Sequence, residues 1–522
     1  MQCLPKSRQK GVIMYECIVV GAGPGGLVAI KELSEAGVSN ILCLEKSHRI
    51  GGLFAGSYDS LYLTSSAAFS MFSDHWIGDD QAHVFWTKAQ AVEYWAGYAE
   101  KFNVLEKIRF DTAVSDATQT GTGDWQLTLE SGDRIQCKRL VVATGNNDVP
   151  VVPNWHDKAT DVRTLHSRDY RNSEPFAGKR VVVVGGGESA SDIALEISKV
   201  ADRCWVSLRN GAGWVVPRMR NGIATDMSTH RGFWTLPRRF GSLVSASIIA
   251  HDARLAENNP EMAALVALNK SVPSPRGIWG TYGTKSFALP KAIANYDCRI
   301  VEEIADVDKK GRQLTTASGR ILSDIDAIVY CTGYRSQVKI LPADARDCDP
   351  RGLFKHMIDL NYGDRLAWLG FARPAFGSQF PVMEMQARYW ALIVSKQMVL
   401  PDRTAMMKSI EADKKSNLSQ FGTTAERVRG LVDYFRYMDD LADMIGCGPP
   451  IWQTLFTHPR LWLHLIYGPT QATQYRLRGR GKKPELANEI LRKLPLSSFN
   501  HVVKAGLWGR VRFALSGFRR GD

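Results

Sequence analysis

Short apolar runs alternate along the chain with glycine-rich turns and with segments of helical periodicity. Residues 15–20 form an apolar run that a glycine-rich turn ends, and apolar residues then recur at helical spacing over 27–36, up to Gly37. A second apolar run follows at 41–44. Apolar runs of this length predict buried strands, and the three- to four-residue spacing predicts a helix. The pattern therefore predicts a strand–turn–helix–strand unit at the start of the chain.

The same order of elements recurs later in the chain. Residues 180–184 read as a buried strand, 193–200 as a continuing helix and 204–208 as the next strand. Alternating strands and helices are typical of α/β folds with a parallel sheet. We therefore predict an α/β protein with two Rossmann-like dinucleotide-binding domains and a C-terminal helical segment.

Each predicted unit carries a glycine-rich loop and, 24 positions after its first glycine, a charged residue. The loop at 21–26 is followed by Glu45, and the loop at 185–190 by Arg209. An acid at this distance accepts hydrogen bonds from ribose hydroxyls, whereas an arginine suits a 2′-phosphate. The loops therefore predict two dinucleotides, one plain and one phosphorylated. Purely structural glycine turns and a solvated surface arginine are the alternatives.

Two other strands end in small residues. The run 140–142 leads into Ala143-Thr144-Gly145, and 328–330 leads into Cys331-Thr332-Gly333. Small residues at a strand's carboxyl end leave room for a cofactor at the edge of the sheet. We expect the first run to close the opening unit and the second to return the chain to the first domain.

Composition and charge exclude several other classes of protein. Hydrophobic content of 44% and charged content of 23% are ordinary for a globular protein. The nine cysteines include no C-x-x-C pair, which argues against a zinc ribbon or a redox dithiol and favours a reducing cytoplasm. Of the net charge of +13, residues 476–522 carry +9. No nucleic-acid-binding motif accompanies this basic tail, so we predict no nucleic-acid partner and no metal.

Further motifs resemble those of the flavin-containing monooxygenases, which are class B flavoenzymes. Residues 165–170 (LHSRDY) look like the core of that family's F-x-G-x-x-x-H-x-x-x-[YF] fingerprint, with Thr160 and Val162 at the Phe and Gly positions. Residues 45–54 resemble its E-[RK]-S…G-G-x-W segment with Phe54 for Trp, and 383–388 resemble G-E-x-Q-x-R. The resemblance covers roughly residues 15–491.

This resemblance implies that FAD binds the first glycine loop and NADPH the second. It also implies that the NADPH domain is inserted into the FAD domain. We expect FAD-domain segments at 14–177 and 326–490, an NADPH domain at 178–325 with a peripheral insertion at 211–300, and a basic tail at 491–522. A homodimer would be in keeping with the family.

One position departs from the family pattern. Thr64, in Leu63-Thr64-Ser65, stands where the resemblance places an active-site asparagine near the flavin and NADP⁺. Threonine has one donor and one acceptor on a single oxygen, but its side chain is shorter than that of asparagine. Two interpretations stay open: Thr64, with help from Ser65, serves the same role, or the oxygenated flavin is less protected.

The candidate site residues follow from these motifs. Thr64 and Ser65 are the catalytic candidates. The cofactor-binding candidates comprise the two loops, their charged partners and the flanking motif residues, namely Gly21, Ala22, Gly23, Pro24, Gly25, Gly26, Glu45, Lys46, Leu53, Phe54, Leu63, Thr64, Ser65, Thr144, Gly145, His166, Gly185, Gly187, Glu188, Ser189, Ser207, Arg209, Thr332, Gly333 and Gln386.

The resemblance implies an NADPH- and O₂-dependent monooxygenase. Through a flavin C4a-hydroperoxide it would pass one oxygen atom to an amine nitrogen or a sulfide sulfur. The alternatives are an NADPH oxidase that releases hydrogen peroxide, Baeyer–Villiger oxygenation of ketones, and a scaffold without turnover. Apolar residues recur at near-helical spacing from Phe499 to Phe518, interleaved with basic residues. This tail is either an interfacial helix at an anionic membrane surface or a solvated segment.

Overall fold

Two β-sheets frame the molecule, and both carry glycine loops at the carboxyl ends of parallel strands. The structure is a computed structural model that describes residues 14–496, except 79–81, 210–212, 221, 236–247, 273–282, 348 and 423–428, together with 511 and 515. The strands of the two sheets, in chain order, are β1 (Met14–Val20), β2 (Ile41–Leu44), β3 (Ile108–Arg109), β4 (Val114–Gln119), β5 (Trp125–Leu129), β6 (Arg134–Val142), β7 (Arg163–His166), β8 (Arg180–Val184), β9 (Arg203–Leu208), β10 (Cys298–Glu302), β11 (Ala327–Tyr330) and β12 (Leu366–Trp368).

Smaller strands lie outside these sheets. They are Val149–Pro150 with Tyr334–Arg335, Trp214–Val215 with Gly283–Thr284, Met219–Arg220 with Ile223–Ala224, Arg373–Pro374 with Leu431–Val432, and the set Ile304–Val307, Leu314–Thr316 and Ile321–Leu322.

Helices flank the sheets and are the main regular elements among the described residues of the C-terminal third. The α-helices with both ends among the described residues are α1 (Pro24–Glu35), α2 (Gly52–Ala55), α3 (Ala67–Ser70), α4 (Lys88–Lys101), α5 (Glu188–Ser198), α6 (Arg231–Trp234), α7 (Pro260–Lys270), α8 (Ala288–Asn295), α9 (Ala343–Arg346), α10 (Gln379–Val394), α11 (Arg403–Phe421), α12 (Tyr434–Ile445), α13 (Ile451–Thr457), α14 (Pro459–Tyr467) and α15 (Pro484–Lys493). Single 3₁₀ turns are Leu105–Lys107, His156–Lys158, Glu174–Phe176, Thr225–Ser228, Pro350–Gly352, Gly363–Arg365 and Ala472–Arg476.

The first sheet has the order β3–β2–β1–β6–β5–β4, and β12 pairs with β6 outside this order. The pairings among β1, β2, β3, β6 and β12 are parallel, whereas β5 pairs antiparallel with both β4 and β6. The register sets Val20 opposite both Leu44 and Val142. As a result, the loop at 21–26, Glu45 and Ala143 meet at one edge of the sheet.

The second sheet has the order β10–β9–β8–β11–β7 and is parallel throughout. Val184 lies opposite both Ser207 and Tyr330, and Tyr330 lies opposite His166. The second loop, Cys331 and His166 therefore meet at the carboxyl edge. The α/β prediction with C-terminal helices is confirmed.

The first predicted unit agrees with the structure except at the start of its helix. α1 begins at Pro24 rather than at 27, because Gly23 is its extended N-cap and Pro24 occupies the first helical turn. Proline is preorganised for this position since the first-turn N–H groups have no partner within the helix. The apolar periodicity hid this first turn, where Pro24, Gly25 and Gly26 carry no long side chain.

The strand at 328–330 does not return the chain to the first sheet, so this prediction is wrong. β11 lies between β8 and β7 in the second sheet, and the chain re-enters the first sheet only at β12. The two crossings between the sheets run side by side, because Val149–Pro150 pairs antiparallel with Tyr334–Arg335. We call this pair the crossing ribbon. The limits predicted for the domains remain a prediction.

The described part of the 211–300 segment is not peripheral, contrary to expectation. Leu289 and Ala292 of α8 are fully buried in the core of the second domain. Arg231 of α6 is also buried, and its guanidinium pairs with Asp439 of α12. Because this segment buries side chains against both halves of the molecule, it links them.

Most of the basic tail lies outside the described residues. Val511 and Leu515 are described, and the Leu515 side chain is 81% exposed. In the described part of the chain, no helix has both the length and the apolar character needed for a membrane span. The predicted contact of the tail with a membrane surface remains a prediction.

Candidate functional site

The glycines of the first loop differ in how much room surrounds them. At Gly21 and Gly26 a side chain would clash with backbone atoms, whereas at Gly23 it would fill space that a ligand could occupy. A Cβ on Gly21, whose φ is +105°, would lie 2.7 Å from the Ala143 carbonyl oxygen, and one on Gly26 would lie 1.9 Å from the Gly21 oxygen. A Cβ on Gly23 would meet no heavy atom closer than 3.8 Å. The outer glycines thus allow tight packing, while Gly23 borders open space at the N-terminus of α1.

Glu45 lies beneath this loop and is buried. Its Oε2 accepts the Ala22 N–H (2.7 Å), and its Oε1 accepts the N–H and the hydroxyl of Ser47 (both 2.8 Å). A carboxylate offers about four acceptor positions. Glu45 therefore fixes the loop and retains acceptor capacity for a ribose hydroxyl.

The second loop repeats this arrangement. A Cβ on Gly185, with φ of +128°, would lie 2.2 Å from the Cys331 oxygen, whereas one on Gly187 would have nothing within 4 Å. Gly187 is the N-cap of α5, and no side chain caps that helix. Glu188 and Ser189 form its first turn, where backbone N–H groups favour anions. Ala190 at the third position is fully buried.

Ser207 and Arg209 differ in their surroundings. Ser207 is buried, its hydroxyl donates to the Glu302 oxygen (2.9 Å), and its carbonyl accepts the Gly185 N–H (3.0 Å). Arg209 follows the end of β9 and is exposed. Ser207 thus anchors the loop, and only the Arg209 side chain is available to a phosphate in solution.

His166, Thr332 and Gly333 meet where the crossing ribbon reaches the second sheet. His166 is buried; its Nδ1 accepts the Arg168 N–H (3.2 Å), so its Nε2 is protonated and donates to the Gly333 oxygen (3.1 Å). The Thr332 hydroxyl donates to the Val151 oxygen. Burial lowers the pKa of His166. With both ring nitrogens bonded to backbone, His166 shapes this edge as a neutral imidazole.

The catalytic candidates face opposite ways. Leu63 is buried and its N–H donates to the Trp86 oxygen (2.8 Å), whereas Thr64 is exposed. Ser65 is buried, and its hydroxyl lies 3.0 Å from Ser70 Oγ and 3.2 Å from Ser378 Oγ. Of the two, only Thr64 is exposed to solvent.

The remaining candidates surround the first loop at different depths. Leu53 is 43% exposed, while the ring of Phe54 packs against Trp95 with centroids 5.2 Å apart. Thr144 and Gly145 are exposed just beyond β6, and the exposed Lys46 lies 3.7 Å from Asp148.

Gln386 is fully buried in α10. Its Oε1 accepts the Gly370 N–H (3.0 Å), and its Nε2 donates to the Tyr437 hydroxyl (2.8 Å). A Cβ on Gly25 would lie 3.1 Å from Leu369, so the Leu369–Gly370 turn adjoins the first loop. Gln386 thus supports this turn from behind.

The sequence did not single out a buried carboxylate between the two halves of the molecule. Asp192 of α5 accepts hydrogen bonds from Tyr58 (3.1 Å), Ser286 (2.7 Å) and Arg218 (3.4 Å). Lys285, next to Ser286, was missed as well; its Nζ lies 3.4 Å from the Gly377 oxygen. The one signal in the sequence for Asp192 and Lys285 is that each is a charged residue that no recognised motif explains.

Three carboxylates, those of Glu32, Glu35 and Asp74, lie close enough together to consider a metal. Lys31 Nζ already contacts all three, at 2.9 Å from Glu32, 2.8 Å from Glu35 and within contact of Asp74. Arg476 and Lys483 add two more cations. The group is therefore a neutralised ion-pair network rather than a metal centre.

The residues present fit two dinucleotides. Each loop keeps one glycine beside open space at an uncapped helix N-terminus, where a pyrophosphate can approach the backbone. Glu45 offers acceptors at one site, and Arg209 offers a cation at the other. The first site thus offers a hydrogen-bond acceptor and the second a positive charge, which is the difference that the sequence predicts.

Comparison with known proteins agrees with this geometry. A family model described as flavin-binding monooxygenase-like matches residues 15–504. The chain is 32% identical over 499 residues to a 4-hydroxybenzoate brominase (decarboxylating) of Pseudoalteromonas luteoviolacea, covering 93% of this chain and 94% of that one. It is 29% identical to flavin-containing monooxygenase 5 of Oryctolagus cuniculus, covering 89% of each.

Among solved structures, the S-allyl-L-cysteine S-oxygenase of Allium sativum superimposes with a TM-score of 0.59. The sequence identity is 18%, and the match covers 97% of this chain and 99% of that one. At this identity the likeness concerns the fold, with its two dinucleotide-binding domains.

Proposed function

Since the chain belongs to the flavin-binding monooxygenase-like family, we propose that it uses FAD, NADPH and O₂ to transfer one oxygen atom to a soft nucleophile. The substrate class would be an amine nitrogen or a sulfide sulfur. The observation that carries the proposal is the pair of glycine loops with opposite charged partners, Glu45 and Arg209, on two parallel sheets.

In this proposal FAD supplies the redox and oxygen chemistry, and the chain positions it. The N-terminus of α1 and Gly23 would hold its pyrophosphate, with Glu45 on the ribose. The N-terminus of α5 and Gly187 would hold NADPH, with Arg209 on its 2′-phosphate. Thr64 would donate or accept one hydrogen bond at the reacting edge, and Ser65 would fix that segment through Ser378.

Turnover with ¹⁸O₂ tests the proposal directly. Purified protein is supplied with NADPH and a panel of tertiary amines and thioethers, and the products are analysed by mass spectrometry. We expect one labelled oxygen atom per product molecule. Unlabelled products, or NADPH consumption without any oxygenated product across the panel, would overturn the monooxygenase proposal.

Replacing Arg209 by glutamine should weaken selection for NADPH over NADH. A charge-assisted hydrogen bond to phosphate is worth about 1.5–3 kcal/mol, so the ratio of kcat/KM for the two nucleotides should fall on the order of tenfold to a hundredfold. Steady-state kinetics with both nucleotides measure this ratio. The exposed Arg312, which pairs with Asp326 at the opposite, amino edge of the second sheet, provides the control, and its glutamine variant should keep the wild-type ratio.

Replacing Thr64 by asparagine should reduce the hydrogen peroxide released per NADPH oxidised. The longer amide offers a separate donor and acceptor in place of one hydroxyl. One added hydrogen bond of about 1 kcal/mol corresponds to roughly a fivefold lower leak. Peroxide and NADPH are measured in parallel with a saturating substrate. If the peroxide released per NADPH were unchanged or higher, position 64 would not be the one that performs the role of the family's asparagine.

The oxidase alternative rests on the same residue. If Thr64 protects poorly, wild-type enzyme would convert nearly all NADPH to hydrogen peroxide even with saturating amine or sulfide. Baeyer–Villiger activity would instead give esters or lactones from ketones. The same assay, extended to ketones, separates these outcomes.

A second candidate is oxidation of a halide ion, leading to halogenation of a phenolic acid. The 32% identity to the brominase, over nearly the whole of both chains, favours it. A cation also lies near Ser65: Lys285 contacts the Gly377 oxygen, next to Ser378, and no carboxylate of the described residues pairs with it. Incubation with NADPH, O₂, bromide and 4-hydroxybenzoate should give brominated phenol, with O₂ as the oxidant of the bromide, and absence of bromide incorporation would exclude this candidate.

A further inference from the structure

Asp192 lies at the centre of a buried cluster that joins four separate segments. The cluster consists of Asp192, Tyr58, Arg218 and Ser286. Tyr58 Oη and Arg218 Nη2 donate to Asp192 Oδ2, at 3.1 and 3.4 Å, while Ser286 Oγ donates to Asp192 Oδ1 at 2.7 Å. Tyr58 and Asp192 are 3% and 7% exposed. The first glycine loop contributes no member, whereas the second adjoins the cluster, because Ser189 lies beside the Tyr58 hydroxyl.

The members of the cluster lie on segments that belong to different parts of the site. Asp192 lies in the second turn of α5, whose N-terminus carries the second glycine loop. Tyr58 begins the segment that leads within six residues to Thr64. Arg218 also lies over the ring of Tyr62, 5.5 Å from its centroid, so it bridges Asp192 and that segment. The carboxylate thus ties the helix of one nucleotide site to the segment of the other.

Because Asp192 is buried, loss of any of its hydrogen bonds would raise the free energy of the folded protein. Burial raises the pKa of the Asp192 carboxyl, whereas Arg218, Ser286 and Tyr58 each act to lower it. Tyr58 also packs edge-to-face on Tyr170, with centroids 6.2 Å apart. A buried carboxylate that loses a donor keeps its desolvation cost, which favours the arrangement in which all three donors remain in place.

Resting on the function proposed above, we propose that Asp192 is a positioning residue that fixes the second nucleotide-binding helix relative to the Tyr58–Thr64 segment. The nicotinamide of a nucleotide held by α5 must reach the flavin held by the first loop. The cluster sets that approach, without touching either nucleotide, through the relative placement of α5 and residues 58–64. A displacement of about 1 Å can lower a rate on the order of a hundredfold.

Tyr58→Phe provides the sharpest test, because it removes one hydroxyl and keeps the ring. We expect kcat for NADPH oxidation to fall about ten- to a hundredfold, with KM for NADPH within about twofold of wild type. FAD content should not change, and the melting temperature should fall by about 2 °C at most, because Asp192 loses one of its three donors. Tyr362→Phe is the matched control: its hydroxyl bonds the Asp344 carboxylate far from the cluster, and its kinetics should equal wild type. If KM, FAD content and melting temperature changed together, the role would be structural and the proposal wrong.

Hydrogen–deuterium exchange tests the tie independently of turnover. In Tyr58→Phe, amides of residues 57–70 and 188–198 should exchange at least about fivefold faster, while those of β1 should not change. Unchanged exchange in both peptides would overturn the proposal. Ser286→Ala keeps the hydrogen bonds from Tyr58 and Arg218, so exchange in the same residues should increase by a smaller factor. This variant replaces Tyr58→Phe as the test if Tyr58→Phe does not fold. A wild-type protein that fails to oxidise NADPH would refute the proposed function, while exchange would still decide on the tie.

Discussion

A Gly26→Ala variant should purify without flavin. The added Cβ would lie 1.9 Å from the Gly21 carbonyl oxygen, a backbone atom that cannot move without displacing the loop. Overpacking of this kind costs about 1–3 kcal/mol in structure alone, and it shifts the N-terminus of α1 from the pyrophosphate position. We therefore expect FAD affinity to fall on the order of 100-fold, measured by flavin absorbance of the purified protein and by titration with added FAD.

Gly97→Ala is the control for this substitution. Gly97 lies within α4, and its added Cβ would meet only the tip of His75, at 3.6 Å. Alanine is favoured over glycine inside a helix by about 1 kcal/mol. This variant should keep its flavin and be slightly more stable. A Gly26→Ala protein with full flavin content would show that the loop tolerates a side chain and does not closely bind the cofactor.

Replacing Arg476 by methionine should strongly destabilise the protein. Arg476 is 1% exposed; its Nη2 contacts Glu384 (2.8 Å) and Glu32, and its Nε donates to Ser73 Oγ (2.7 Å). Removal leaves buried carboxylates with too few cations. Breaking a buried ion pair in this way costs about 3–5 kcal/mol, measured as the free energy of unfolding in urea.

The exposed ion pair of Lys414 with Glu411 gives the comparison. Its Lys414→Met variant should change the free energy of unfolding by no more than about 0.5 kcal/mol, because solvent already screens the pair. An Arg476→Met protein within 1 kcal/mol of wild type would mean that Lys31 and Lys483 alone neutralise the network.

Local patterns predicted the parts of the site that one stretch of chain builds. The glycine loops, Glu45 and Arg209 depend on a strand, a turn and a helix in sequence, and the apolar spacing fixes these. The same reasoning misplaced β11, because a strand's apolar run does not specify which sheet it joins. Alternation along residues 63–65 would have separated exposed Thr64 from buried Ser65, but those residues lie in a loop with no strand to set the pattern.

The Asp192 cluster could not be predicted from the sequence. Its donors Tyr58, Arg218 and Ser286 lie 134, 26 and 94 residues from Asp192 along the chain. No spacing rule links positions that meet only after both domains have packed. Burial of a carboxylate is favourable only when such partners are present, so the cluster follows from tertiary structure alone.

The crossing ribbon has a consequence for how such a molecule could arise. Because Val149–Pro150 and Tyr334–Arg335 run side by side, the point where the chain leaves the first sheet adjoins the point where it comes back. A whole nucleotide-binding unit could thus be gained by one gene insertion, with little disturbance of the host. The buried pair of Arg231 and Asp439 then makes that event hard to reverse, since deleting the inserted unit would leave an unmatched charge inside the host.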